Sequence, residues 1–155
     1  MISSTVHTDL QQSGRVLVYD DDEILLNLLG LVLKREGYRI KVTDCAQEGI
    51  RLMSTQRFDV AIADLGLRRT NGYELVRMIR EVSPETAIVA VSAYPSDEVV
   101  RFARRYAQAF LDKPFSLIDL VHQVGGLLER GRQASETALG HSPAGPGIEV
   151  AEARA

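Results

Sequence analysis

What most constrains the fold of this chain is a set of four apolar runs, each ending at a residue that can carry chemistry. Val16-Leu17-Val18-Tyr19 leads into Asp20-Asp21-Asp22, and Val60-Ala61-Ile62-Ala63 leads into Asp64. Ala87-Ile88-Val89-Ala90-Val91 ends at Ser92, and Ala109-Phe110-Leu111 stops just short of Lys113-Pro114. Short continuous apolar runs of this kind read as strands buried on both faces, as in a parallel sheet. In such a sheet the carboxyl ends of the strands share one edge, which is where α/β folds bind ligands. Carboxylates, one hydroxyl and one ammonium gathered there suit a hard cation together with a phosphoryl group.

Helical patterns alternate with these runs, the order expected of βα units around a parallel sheet. Strands are expected near 15–20, 38–43, 58–63, 86–92 and 109–111, and helices near 22–36, 45–56, 72–82, 95–106 and 116–130. Five such units fit a flavodoxin-like doubly wound (βα)5 fold with strand order 2-1-3-4-5. The punctuation agrees: Gly37 follows the first helix as a C-terminal cap, and Asn71-Gly72 marks a turn before the third. Pro95 suits a first helical turn, and Ser116 with Asp119 resembles a cap for the last helix. Gly125-Gly126 lies inside that helix at a cost of about 1 kcal/mol per glycine relative to alanine, which close packing against a neighbour would explain.

These elements place one domain at 14–130. Residues 1–13 are polar and aperiodic, and from Gly131 the chain is rich in Ala, Gly, Pro, Ser and Glu, so 1–13 and 131–155 are expected to be disordered. The chain has 155 residues, large enough for a hydrophobic core. Its net charge of −3 argues against a general nucleic-acid surface. Cys45 is the one cysteine, which fits a reducing compartment, and it reads as a small buried hydrophobe at a helix start. The amino terminus shows no signal-peptide pattern, and the most apolar stretch, 24–33, is interrupted by Asn27 and Gly30 and too short to span a bilayer. A cytoplasmic protein with no membrane insertion is the expectation. His7, His122 and His141 are scattered and form no metal or catalytic set.

Asp64 ends the run that reads as the central strand, and a carboxylate presented there can attack phosphorus to form an acyl phosphate. The plainer reading is a strand-end aspartate satisfied by loop amides. Adjacent carboxylates such as Asp20 and Asp21 repel each other unless a cation compensates, and magnesium takes oxygen ligands of this kind. Asp22 and Glu23 suit a helix start, where negative charge is favourable. Lys113 can pair with Asp64 and follow phosphoryl oxygens, or simply sit in a solvated Lys-Pro turn. Ser92 can donate its hydroxyl proton, or be an ordinary strand-end serine. Their conjunction at strand carboxyl ends carries the signal.

On these segments, with Val91-Ser92-Ala93 and Lys113-Pro114-Phe115, residues 14–130 resemble the receiver domain of bacterial two-component response regulators. The resemblance implies that Asp64 accepts a phosphoryl group from a sensor histidine kinase or a histidine phosphotransfer protein of a phosphorelay. It implies magnesium held by Asp20, Asp21, Asp64 and the Gly66 carbonyl. Ser92 matches the switch hydroxyl, Lys113 the phosphate-contacting lysine and Phe110 the aromatic switch residue, with a cis Lys113–Pro114 bond. Such a domain assists its own phosphorylation and dephosphorylation without being a dedicated enzyme. Output then runs through protein contacts of the 95–130 face, with an unidentified output protein, no direct nucleic acid, and a possible homodimer; no effector domain is visible.

The phosphorylation loop departs from the family pattern, with Leu67-Arg68 where a proline is common. Gly66 has no side chain to position an attacking water and Tyr94 could shield an acyl phosphate, so slow self-dephosphorylation is expected. On the first helix, Ile24, Leu25, Leu28, Leu29 and Val32 are expected to form the core stripe, flanked by Leu26 and Leu33. Rival readings are a phosphorylation-independent adapter with the receiver fold, a relay intermediate or phosphate sink, and a haloacid dehalogenase-type phosphatase using Asp20. The phosphatase needs a further acidic pair after the lysine, which the sequence lacks, and leaves Asp64 without a task.

Overall fold

The structure is a computed structural model that describes residues 14–66 and 72–140. Its elements run β1 (Arg15–Tyr19), α1 (Glu23–Arg35), β2 (Arg39–Thr43), α2 (Ala46–Thr55), β3 (Val60–Asp64), α3 (Gly72–Val82), β4 (Ala87–Ser92), α4 (Asp97–Tyr106), β5 (Ala109–Asp112) and α5 (Leu117–Gly140). The five strands pair in parallel in the order β2-β1-β3-β4-β5. This is the flavodoxin-like doubly wound fold expected from the sequence. β3 is buried along its whole length, whereas the edge strand β2 is largely exposed and the edge strand β5 is half-buried.

Alternation along the strands feeds two cores. Val16, Val18, Val60, Ile62, Val89 and Val91 face α1 and α5, while Leu17, Tyr19, Ala61, Ala63, Ile88 and Ala90 face α2, α3 and α4. The three alanines on the second face leave room for the larger Met53, Leu75 and Ile79 brought by α2 and α3. Interdigitating large with small side chains in this way keeps the interior close-packed.

The helix ends follow their local chemistry. Asp22 caps α1, its Oδ1 accepting from the Ile24 and Leu25 amides at 3.0 and 3.2 Å. Gly37 adopts φ +91°, and the Gly37 and Tyr38 amides donate to the Lys34 and Leu33 carbonyls, a Schellman arrangement that ends α1. The Ser116 hydroxyl accepts from the Asp119 amide at 3.4 Å, as the spacing suggested. Pro95 lies outside its helix: Ser96 is the cap and accepts from the Val99 amide at 3.3 Å, so α4 opens at Asp97.

Four further expectations are corrected. The buried stripe of α1 is Leu26, Leu29 and Leu33, while Ile24 is 81% and Leu31 60% exposed and Leu28 also faces solvent. With leucines nearly all round this helix, hydrophobicity alone could not set its phase. Cys45 is exposed, because the inward stripe of α2 begins one residue later at Ala46. α5 continues to Gly140, ten residues past its expected end and into the stretch read as disordered. Residues 132–139 contain no Gly or Pro and include Gln133, Ala134, Glu136, Ala138 and Leu139, so propensity carries the helix on without burial. Nor are Gly125 and Gly126 closely packed: an added β-carbon would meet nothing nearer than the Tyr38 hydroxyl at 3.6 Å and Arg130 Nη2 at 3.8 Å. The expectations for residues 1–13, for Leu67 to Asn71 and for 141–155 lie outside the described residues. Among the described residues no helix is long and apolar enough to cross a membrane.

Candidate functional site

Strand order reverses between β1 and β3, and this switch point sets where the acidic groups meet. Asp20 follows β1 and Asp64 ends the neighbouring β3. Asp20, Asp21 and Asp64 offer ligand oxygens that all lie within 4.8 Å of one another. Asp20 and Asp64 are buried, whereas Asp21 is exposed. Such carboxylate oxygens, close together and partly open to solvent, form the donor set a hard divalent cation takes.

One ammonium serves the two buried acids. Lys113 Nζ donates to Asp20 Oδ2 at 2.5 Å and to Asp64 Oδ2 at 3.2 Å. Asp20 Oδ1 accepts from the Asp22 amide at 2.9 Å, and Asp64 Oδ1 accepts from the Gly66 amide at 2.9 Å. The two carboxylates are thus held in fixed orientations from opposite sides. Burial, and then the charge of Asp20, push the Asp64 carboxyl above its ordinary range, against the pull of Lys113 and of the Gly66 amide. Burial alone would lower Lys113, but its hydrogen bond to Asp20 and the charges of Asp64 and Asp20 raise it overall. The site is therefore short of positive charge.

β4 and β5 complete the edge. Asp64 is the register partner of Val91, so Ser92 stands one residue further along β4. Ser92 is buried, its Oγ accepts from the Tyr94 amide at 3.1 Å, and its carbonyl accepts from the Lys113 amide at 2.9 Å. That last bond fixes the backbone of Lys113 to β4, and the Lys113–Pro114 peptide is cis. Phe110 is half-buried and, like Phe102 and Tyr106, packs against the core on the α2, α3 and α4 side of the sheet. Tyr94 is 60% exposed.

Two neighbours of the site were not singled out by sequence reasoning. Tyr19 is buried beside the acids, and burial followed by the charges of Asp64 and Asp21 raises its hydroxyl, keeping it neutral. Its place before Asp20 was visible, but an aromatic at a strand end looks like core. Gly72 was read as part of a turn; an added β-carbon there would lie 2.0 Å from the Asp64 carbonyl oxygen. The first turn of α3 therefore rests directly on the backbone of Asp64, a contact no sequence signal announces. At Gly66 a β-carbon would sit 3.1 and 3.2 Å from the Asp64 carboxylate oxygens, so glycine leaves that side of the acid open.

Fold and site together define a doubly wound domain with a cluster of three carboxylates and one ammonium at its switch point. Residues 16–125 match the response regulator receiver domain, and the chain belongs to that family. It is 30% identical over 124 residues to the transcriptional regulatory protein GlrR of Escherichia coli K12, covering 79% of this chain and 28% of GlrR. It is 28% identical over 126 residues to the cell cycle response regulator CtrA of Brucella ovis, covering 81% of this chain and 54% of CtrA. The chain thus spans between about a quarter and about half of these relatives. Among solved structures, a CheY-like receiver domain protein from Methanospirillum hungatei superposes with a TM-score of 0.75 at 27% identity, over 79% of this chain and 98% of that one.

Proposed function

We propose that the protein is a phosphoacceptor: Asp64 takes a phosphoryl group from a histidine kinase or a histidine phosphotransfer protein, with magnesium held at Asp20, Asp21 and Asp64. The observation that carries this reading is the convergence of three carboxylates within 4.8 Å with a single ammonium shared between two of them. Three negative charges facing one positive charge favour binding of a divalent cation, and receiver domains generally bind magnesium in such a pocket. When bound, magnesium supplies charge that offsets the phosphoryl oxygens; the Gly66 carbonyl is the further oxygen proposed for it.

The chain's own groups account for the rest. An Asp64 carboxylate oxygen forms the new bond to phosphorus while the bond to the donor's nitrogen breaks, and that nitrogen keeps the electron pair. Lys113 already touches Asp64 and needs little movement to reach the incoming oxygens. Ser92, buried one residue past the register partner of Asp64, supplies a hydroxyl donor, and Phe110 on β5 responds through the 95–130 face. With no side chain at Gly66 to orient a water, the acyl phosphate hydrolyses slowly; a lifetime of only seconds would contradict this. Protein contact, in the cytoplasm, is the proposed route of output, with an unidentified partner protein or a second copy on the 95–130 face.

Asp20 is less accessible than Asp64, 1% exposed against 8%, and takes the shorter of the two Lys113 contacts, which makes it the poorer candidate for the nucleophile of a phosphatase. Intact mass after incubation with acetyl phosphate, with and without magnesium, tests the reading. A single magnesium-dependent phosphoryl adduct, absent in Asp64→Asn, is expected. No adduct on the wild type would favour the adapter reading, and an adduct lost only in Asp20→Asn would favour the phosphatase.

A further inference from the structure

α4 is the helix least held by the core. It buries only Val99 and Ala103, whereas α1 buries three leucines and α3 buries Leu75, Val76 and Ile79. Little apolar surface therefore resists displacement of α4, and local openings favour elements with few buried apolar contacts.

Beyond its packing on β4 and β5, α4 is held by one stripe of α3. Tyr73, Arg77 and Arg80, spaced at i, i+4 and i+7, lie on the same helical face. The Tyr73 ring meets Phe102 of α4 edge-on, with centroids 4.5 Å apart and planes at 66°. Phe102 packs in turn on Tyr106 at 4.6 Å, and the Arg77 guanidinium lies 5.4 Å from the Phe102 centroid. Arg80 Nε donates to the Tyr106 carbonyl at 2.8 Å and Nη2 to Gln108 Oε1 at 2.6 Å, gripping the end of α4 and the connection to β5. The stripe starts one residue after Gly72, whose backbone rests on the Asp64 carbonyl.

We propose that this α3–α4 seam is a conformational latch: Tyr73, Arg77 and Arg80 are positioning residues that hold α4 in its resting place, and α3 links α4 to the backbone of Asp64. The proposal rests on the phosphoacceptor reading only for its consequence. The hold itself is a property of the unmodified protein.

Hydrogen exchange read by mass spectrometry on the unphosphorylated protein tests it, comparing amides of 97–107 with those of 23–35. Phe102→Leu removes both ring contacts and the cation–π contact from a half-buried position. Arg80→Gln removes the grip on the Tyr106 carbonyl. Both variants are expected to exchange about tenfold faster across 97–107 while 23–35 stays within about twofold, since lost cation–π contacts and hydrogen bonds to charged groups are worth this much. Leu29→Ala, a cut into the other core, should instead accelerate exchange in both segments. Unchanged exchange across 97–107 in both variants, or an equal rise in both segments, would overturn the latch. Because no phosphoryl donor is present, failure here is distinct from failure of Asp64 to accept a phosphoryl group.

Discussion

At the carboxyl end of the sheet, Lys113 is shared between Asp20 and Asp64 with Asp21 beside them. At the amino end, Arg80 is equally committed but meets no carboxylate among the described residues. It donates to the carbonyls of Tyr106, Pro84 and Thr86 and to Gln108 Oε1, and that same amide oxygen also accepts from the Ile88 amide at 2.6 Å. Close by, Thr86 Oγ1 donates to the Phe58 carbonyl at 2.8 Å and lies 2.8 Å from the Ser83 hydroxyl. One end gathers three carboxylates around one ammonium; the other satisfies neutral acceptors completely. Among the described residues no buried side-chain nitrogen or oxygen lacks a partner, so the imbalance at the acidic end is one of charge and not of missing hydrogen bonds. The contrast separates groups arranged to bind from groups arranged to hold.

The difference can be broken from either side. Lys113→Ala leaves two buried carboxylates without their counter-ion and should cost about 3 kcal/mol of unfolding free energy, with much of it recovered by magnesium or by acid. A urea midpoint at neutral pH, repeated with magnesium, checks this. Arg80→Leu strands the acceptors at the other end and should cost about 2 kcal/mol, but neither magnesium nor acid should restore it. If both losses responded alike to magnesium, the two ends would not differ in the way described.

A smaller change sharpens the comparison and has the opposite sign. Asp64→Asn removes a carboxylate that folding places among like charges, so it should stabilise the magnesium-free protein at neutral pH. The folded state holds the Asp64 proton more tightly than the unfolded chain does. Its contribution to stability is therefore present in acid and lost as pH rises through the raised value. The gap between wild type and Asp64→Asn should accordingly close as pH falls through that value toward the ordinary carboxylate range, which thermal melts across pH would show. The smallest effect lies away from both ends. Gly126→Ala places a β-carbon 3.8 Å from the flexible end of Arg130 and should add about 0.5 to 1 kcal/mol, visible as a raised melting temperature.

The acidic end was legible in the sequence because strand order and strand ends together decide where Asp20, Asp64, Ser92 and Lys113 emerge, and apolar runs mark both. Helix positions were legible wherever caps spoke, at Asp22, Gly37 and Ser116. The phase of α1 was not, because a helix with leucine on every side presents no single stripe and only packing selects Leu26, Leu29 and Leu33. The last turns of α5 were missed for the converse reason: their composition resembles a disordered tail, yet nothing in 132–139 breaks a helix already under way. The grip of Arg80 was invisible as well, since carbonyl partners more than twenty residues away leave no trace in local pattern.

The shortage of positive charge among Asp20, Asp21 and Asp64 is tested most directly by the melting temperature during a magnesium titration of wild type, Asp21→Asn and Arg80→Leu. A rise that grows with the logarithm of the magnesium concentration in wild type and Arg80→Leu, reaching about 2.7 kcal/mol of added stability at a hundred times the dissociation constant, and that is abolished in Asp21→Asn, is the predicted result. No rise in wild type, or an equal rise in Asp21→Asn, would contradict it.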